Sequence, residues 1–246
     1  MLINLNGAPK ASTQNTEFPE YELGSLAIVN DRAWRYVRAT AAITAGEVVV
    51  VTSPSQVSNI TGVQNTPDPG VGSPWIEDSG ETMTVNYYKD CYLYISGHTG
   101  AGLMKRIVSN TATRIYYKAM YPEMGEADGF STTPDTTTDY NILTPWHVKK
   151  AAASDKIQTP IGYAPFAFTA HYYGWVLASG MGNPAMGYAS GSAVIDTLVV
   201  PGDDTAGQGT WAGPADDLGD ATPFGVMMYA GANDTKWPVL FRGIGI

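Results

Sequence analysis

The side chains that could do chemistry in this chain are few and widely spaced. The three histidines, His98, His147 and His171, do not have the spacing of metal ligands, and neither His-Glu-x-x-His nor Cys-x-x-Cys occurs. Cys91 alternates with tyrosine and leucine in a β-like run, which favours a packed thiol over a nucleophile. No Gly-x-Ser-x-Gly elbow is present. We therefore expect a protein that is not an enzyme and that needs no cofactor.

Two glycine-rich stretches could instead bind ions. The run GHTGAG at Gly97–Gly102 fits neither Gly-x-Gly-x-x-Gly nor the P-loop, and it is predicted to be a hairpin connection followed by a strand. A second loop carries clustered aspartates, and carboxylates with backbone carbonyls could hold Ca²⁺. Their spacing matches no calcium loop, so a solvated acidic loop is favoured and calcium binding stays open. These aspartates are Asp203, Asp204, Asp216, Asp217 and Asp220.

The composition restricts the class of partner. The chain of 246 residues has 14 Lys and Arg against 23 Asp and Glu, for a net charge of −9. This acidic balance argues against sequence-independent nucleic-acid binding, which needs a basic field. No apolar run approaches the roughly 18 residues of a membrane helix. The N-terminus lacks the basic start and apolar core of a signal peptide, so we expect the protein to stay in the compartment that makes it.

The periodicity predicts an all-β protein, a small β-barrel or β-sandwich core with long Gly/Pro-rich loops. Asn30-Asp31 is expected to join two strands in a hairpin, and Ala45-Gly46 to form the turn before the strand Val48–Val51. The Ala-rich segment 146–156 is the only helix candidate.

We expect three parts along the chain. Residues 1–20 are predicted to form an extended arm and residues 21–246 a β domain. A boundary near 145–157 would divide that domain into subdomains at about 21–145 and 157–246. ATAAITAGEVVVV resembles APFAFTAHYYGWV, and this echo indicates either two related β units or a chance match between strands.

Tyrosine is in excess, and several tyrosines occur as adjacent pairs. Successive strand residues face opposite sides, so each pair should place one ring inside and one outside. Outward tyrosines are suited to protein contact, to a carbohydrate platform, or simply to filling a β surface. The segment Gly162–Gly180 is read as a strand, a tight turn and a second strand, with Tyr173-Gly174 marking a close backbone approach or a bulge.

Two motifs carry a resemblance to a known family. They are Ile43-Thr44-Ala45-Gly46, leading into a valine-rich strand, and Tyr173-Gly174-Trp175-Val176, leading to Gly180. In this order of strands the chain resembles the head decoration, or capsid cement, proteins of tailed bacteriophages. The loops at 52–80 and 121–145 depart from that pattern.

The resemblance implies a virion structural protein, made in the host cytoplasm, that binds the outer surface of an icosahedral capsid and cements neighbouring capsomers. Its implied partners are the major capsid protein and itself, as a homotrimer, with neither nucleic acid nor membrane. An arm with alternating apolar residues could add as a strand to a partner's sheet edge. The candidate contact residues are Leu2, Ile3, Leu5, Phe18 and Tyr21. The alternative is a carbohydrate- or receptor-binding β module on a head fibre or tail; an enzyme on a β scaffold ranks last.

Overall fold

The fold is described from a computed structural model of the chain. It describes residues 2–3, 5, 7, 9, 15–52, 55–61, 74–132, 134–152, 158–184, 198–201, 206, 208–211, 223, 225–227 and 239–241, with the backbone alone at 55–61, 201, 209–211 and 227. These residues form strands joined by turns and irregular loops, with one short 3₁₀ turn and no α-helix among them, which confirms the all-β prediction. The strands are β1 Leu2–Ile3, β2 Leu26–Val29, β3 Arg32–Ala39, β4 Val48–Val51, β5 Ser55–Thr61, β6 Trp75–Glu77, β7 Tyr92–Gly97, β8 Met104–Asn110, β9 Arg114–Lys118, β10 Asp139–Leu143, β11 His147–Lys150, β12 Pro160–Tyr163, β13 Tyr173–Gly182, β14 Leu198–Pro201, β15 Gly209–Trp211, β16 Gly225–Met227 and β17 Val239–Phe241.

The chain divides into two compact units, and the division differs from the one expected. The barrel unit comprises Met1–Thr52 and Trp146–Ile246, and the inserted unit comprises Ser53–Pro145. The predicted subdomain 21–145 therefore mixes two units. The reason is a long-range pairing: β3, from the N-terminal part, runs antiparallel to β13 over most of its length. The expected boundary near 145 does coincide with the end of the inserted unit.

The barrel unit is built around a closed ring of strands. Its sheet has the order β1-β2-β3-β11-β4-β12-β13-β17-β16-β14-β15, and the additional pairing of β3 with β13 closes β3-β11-β4-β12-β13 into a five-stranded barrel. Successive residues of the ring strands alternate between two buried clusters because side chains alternate along a strand. An aromatic core contains Trp34, Tyr36 and Trp175, and an aliphatic core contains Val37 and Val176.

The predicted turns are confirmed, whereas the helix predicted at 146–156 is absent from its described part, residues 146–152; residues 153–156 lie outside the described residues. Asn30, with φ +57°, lies in the two-residue connection of the β2–β3 hairpin, and Gly46 lies in the turn before β4. Residues 147–150 of the expected helix form β11, which is parallel to β3 and antiparallel to β4. Its backbone groups bond to strands on both sides, and this tertiary context outweighs the helical preference of the following alanines.

The two echoing sequence runs occupy equivalent positions in the barrel. Ile43 and Phe168 exchange both backbone hydrogen bonds, at 3.0 and 2.8 Å. On either side of this pair, equivalent residues of the two runs form equivalent backbone hydrogen bonds to the opposite run. The Gly46 N–H donates to Ala164 O at 2.7 Å, and the His171 N–H donates to Ala39 O at 2.8 Å.

The surrounding ladders follow the same symmetry. Tyr163 lies opposite Val48 in the β12–β4 pair, and the equivalent residues Arg38 and Tyr173 lie opposite each other in the β3–β13 pair. The positive φ values also correspond, +97° at Gly46 and +69° at His171. The barrel therefore contains two copies of one local pattern, related by a pseudo-twofold axis. The similarity between the two sequence runs indicates either two related β units or a chance match, and the repeated pattern supports related β units.

The inserted unit is a six-stranded antiparallel sheet with the order β5-β10-β7-β8-β9-β6. Along β7, β8, β9 and β10 buried residues alternate with half-buried ones. The buried side chains form their own core, including Leu93, Ile107, Tyr117, Phe130 and Tyr140. One face of the sheet is thus covered, and we call the half-buried face the outer face.

Candidate interaction surface

The five candidate contact residues are divided between the surface and the core. Leu2 and Phe18 are exposed, with 67% and 75% of their surface accessible. Ile3, Leu5 and Tyr21 instead pack against the aromatic core of the same chain. The predicted arm is therefore not wholly extended away from the body, because β1 pairs in parallel with β2 and partly buries the side chain of Ile3.

The segment around Phe18 is fixed at both ends. Thr16 forms an antiparallel bridge with Tyr173, with backbone bonds of 3.0 and 2.8 Å. The Glu20 N–H donates to the hydroxyl of Tyr36 at 3.0 Å. The Tyr21 ring then packs edge-on against the Tyr36 ring, with centroids 5.3 Å apart. Phe18 consequently projects from a backbone whose freedom is already restricted.

The outer face of the inserted sheet carries aromatic and basic side chains. In the cross-strand register, Tyr92 lies opposite Arg106, and Arg106 lies opposite Lys118. In the neighbouring row Tyr94 lies opposite Met104. Like charges directly opposite one another destabilise a sheet, and Asp90 offsets this repulsion by contacting Arg106.

At the β6 edge the outer face continues with Trp75 opposite Tyr116. The Arg114 guanidinium lies 4.6 Å from the centroid of the Trp75 ring, and its Nε donates to a Glu77 carboxylate oxygen at 3.0 Å. Arg106 is held by Asp90, Nη2 to Oδ1, at 3.0 Å. Tyrosine, tryptophan and arginine are the residues most enriched in energetically important protein contacts.

The prediction of one inward and one outward ring is confirmed at Tyr116 and Tyr117, where the first is half-buried and the second is buried. It fails at Tyr87 and Tyr88, which lie in a turn and not on a strand.

A second feature of the inserted unit is a rigid turn, which we call the finger, at residues 121–125. A 3₁₀ turn at Pro122–Met124 is closed by Gly125 in the left-handed conformation, whose N–H donates to Pro122 O at 3.0 Å. Tyr121 is 50% exposed and Met124 is 80% exposed. In the sequence this stretch falls within the loop at 121–145, for which no turn is predicted. The proline followed three residues later by glycine is the local signal that could have identified the turn.

The finger is held from inside the sheet. The ammonium of the buried Lys105 donates to a Glu126 carboxylate oxygen and to Ala127 O, both at 2.6 Å. The other Glu126 oxygen accepts the Tyr121 N–H at 2.8 Å. The hydrogen bond from Lys105 is the main cause that lowers the pKa of Glu126. One carboxylate therefore joins the buried ammonium to the base of the finger.

The residues that could have done chemistry are dispersed. Cys91 is buried, as expected of a packed thiol. His98 lies in the turn after β7, with Nε2 3.5 Å from the Asp139 carboxylate. His171 takes the left-handed position before β13, and its carbonyl accepts from Arg38 Nε at 3.2 Å. In the described part of the chain, no group of three or more His, Cys, Asp or Glu side chains could hold a metal ion.

The two glycine-rich stretches have different outcomes. Gly97–Gly102 connects β7 to β8, so the predicted hairpin followed by a strand is confirmed. The clustered aspartates, for which the sequence favours a solvated loop and leaves calcium binding open, lie outside the described residues. Among the residues that are described, no helix has the length and apolar character that a membrane span needs.

His147, on β11, is fully buried, and burial lowers its pKa to about 3, with a smaller contribution from Arg38. The unfolded chain binds this proton at about pH 6.5 and the native state does not, so stability should fall as the pH falls from about 6.5 toward 3. We expect His147 to account for about 2 kcal/mol of the loss between pH 7 and pH 5. Chemical denaturation at both pH values should show that His147→Gln removes this part of the loss. An unchanged difference between the two pH values would mean that the buried imidazole accepts a proton in the native state.

No known protein family, curated protein or solved structure matches this chain.

Proposed function

We propose that this protein is a non-enzymatic virion component that binds the outer surface of a tailed-phage capsid and cements neighbouring capsomers. The observation that carries the proposal is the exposed Phe18 on a segment pinned by Thr16 and Glu20. A large apolar side chain on a pre-ordered backbone loses little freedom when a partner buries it. This is the property expected of a residue that anchors one protein on another.

The placement of the family-like motifs supports the same proposal. Ile43-Thr44-Ala45-Gly46 and Tyr173-Gly174-Trp175-Val176 belong to the two symmetry-related segments that pair within the barrel. The resemblance therefore rests on residues that form the centre of the barrel unit. The partners proposed are the major capsid protein and further copies of this chain, as a homotrimer; attachment to several subunits at once would strengthen modest individual contacts.

The first test is the composition of purified virions. If the proposal is right, the chain is present at a stoichiometry near that of the main shell protein and is accessible to surface proteases. Its absence from virions, or its presence only among internal proteins, would refute the proposal.

A matched pair of variants tests the anchor. Removing residues 1–20 would also remove core contacts of Ile3 and Leu5, so single exposed positions are more informative. We expect Phe18→Ser to weaken binding to undecorated shells by about tenfold or more, with little change in melting temperature. The control Val85→Ser, at another exposed apolar residue, should bind like wild type. Equal binding by both variants would exclude Phe18 as an anchor.

The second candidate function is a carbohydrate- or receptor-binding module, and the outer face of the inserted sheet favours it. Tyr94 lies opposite Asn141, and Trp75 contacts Arg114. Such rings can stack on sugar rings while the neighbouring polar side chains bond to sugar hydroxyls. A glycan array with and without Ca²⁺ tests this function. Reproducible binding that is lost in Tyr94→Ala would favour it over capsid cementing.

A further inference from the structure

The finger and the outer face lie on opposite sides of the same sheet. Lys105, which holds the finger through Glu126, has its side chain on the buried face. Its neighbour Arg106 and the cross-strand residue Lys118 have theirs on the outer face. Within one inserted unit, therefore, the base of the finger is held from the buried face of the sheet, opposite to the outer face.

The two surfaces are complementary in chemistry. The finger presents Met124 and Tyr121 beside the exposed carboxylate of Glu123. The outer face presents rings and the ammonium of Lys118, beside Arg106 and Arg114, which already contact Asp90 and Glu77. Met124 and Tyr121 beside the carboxylate of Glu123 on one surface match aromatic rings beside the ammonium of Lys118 on the other.

The finger is also built as an anchor should be. Its backbone is closed by bonds from Met124 N–H to Tyr121 O at 2.9 Å and from Gly125 N–H to Pro122 O at 3.0 Å. The carboxylate of Glu126 fixes its base, as described above. Met124 is 80% exposed on this turn. Because the backbone beneath it is already ordered, binding through Met124 would cost little further conformational entropy.

We propose that the finger of one copy docks on the outer face of the inserted unit of a second copy. The contact joins two different surfaces, so it is heterologous and builds a closed ring or an open chain of copies. Self-association forms part of the proposed function, but this contact can be tested in solution without any shell. Failure here would leave the virion test above unaffected.

The experiment is sedimentation of the full-length protein over a concentration series. Wild type should self-associate reversibly, and Met124→Asp should raise the association midpoint by about tenfold or more. The control Val85→Asp changes an exposed apolar residue of the same unit and should leave the midpoint unchanged. Circular dichroism and melting temperature verify that every variant remains folded.

A charge-reversal cycle identifies the two surfaces. Lys118→Glu and Glu123→Lys should each raise the midpoint by about threefold to tenfold, and the double variant should recover most of the loss. Lys89→Glu, at an exposed lysine of the same unit, is the matched control.

Three results would overturn the contact. They are a wild type that stays monomeric at all accessible concentrations, equal effects of Met124→Asp and Val85→Asp, and a double variant no better than the single ones. A monomeric wild type that binds glycans through Tyr94 would assign the outer face to carbohydrate instead.

Discussion

Gly162→Ala should prevent the barrel from closing, with a loss of at least about 4 kcal/mol and an insoluble or unfolded product. Gly162 lies in β12 with φ +152°, a conformation that L side chains rarely adopt. A Cβ there would overlap the carbonyl oxygen of Leu177 and lie 2.7 Å from its carbonyl carbon. Leu177 is paired within the ring, so relief of the clash requires β12 and β13 to separate.

The matched control is Gly102→Ala, in the hairpin of the inserted unit. Gly102 has φ +90°, but a Cβ there meets no atom within 4 Å. The free energy of unfolding of this variant should fall only by the conformational penalty of about 1–2 kcal/mol, and the protein should remain soluble. Soluble yield, near-ultraviolet circular dichroism and chemical denaturation distinguish the two. If both variants were equally stable, backbone overlap at Gly162 would not limit barrel closure.

Trp175→Ala should destabilise the barrel unit by about 3–5 kcal/mol, a fall of roughly 10 °C in melting temperature. The side chain is 2% exposed in the aromatic core. Its ring lies 5.1 Å from that of Tyr36 and 5.2 Å from that of Tyr21, measured between centroids. Truncation would leave a cavity and remove the support of the tyrosine that pins the Phe18 segment.

Trp75→Ala serves as the comparison for Trp175→Ala, because Trp75 is only half-buried. It removes the contact with the Arg114 guanidinium at the β6 edge and should cost about 1 kcal/mol. Differential scanning calorimetry compares the two variants with wild type. Equal losses would show that the aromatic core does not dominate the stability of the barrel unit.

The parts of the fold that local chemistry determines could be predicted from the sequence. Asn30 tolerates a positive φ in a two-residue hairpin, and Gly46 does the same before β4. The alternation of side chains in β9 indicated that one ring of the pair Tyr116-Tyr117 would point inward and the other outward. Each of these signals resides within a few neighbouring residues.

The parts that depend on distant partners could not be predicted. β11 takes its conformation from β3 and β4, on both sides of it. The insertion after Thr52 follows from the β3–β13 pairing, and strand sequence on either side of the junction does not reveal which strands will pair. Likewise, the residues next to Glu126 in the sequence do not indicate that its carboxylate accepts a hydrogen bond from the buried Lys105.

Of the candidate site, the sequence led to Phe18 and Leu2 as surface residues but also to Ile3, Leu5 and Tyr21, which pack inward. A short alternating run predicts that one set of side chains is buried. It does not specify whether the chain's own body or a partner covers that set, because both supply the same apolar environment.

The junction between the two units has a consequence for engineering. The chain leaves the barrel at the end of β4 and returns at the start of β11, where Val51 and Val148 are register partners in adjacent antiparallel strands. The Thr52 N–H donates to His147 O at 2.9 Å directly at this exit. An inserted sequence therefore fits the barrel when its two ends are separated by the distance between adjacent strands, about 5 Å. A foreign domain with neighbouring termini could replace residues 53–145 there, which makes the junction a natural site for displaying cargo on this scaffold.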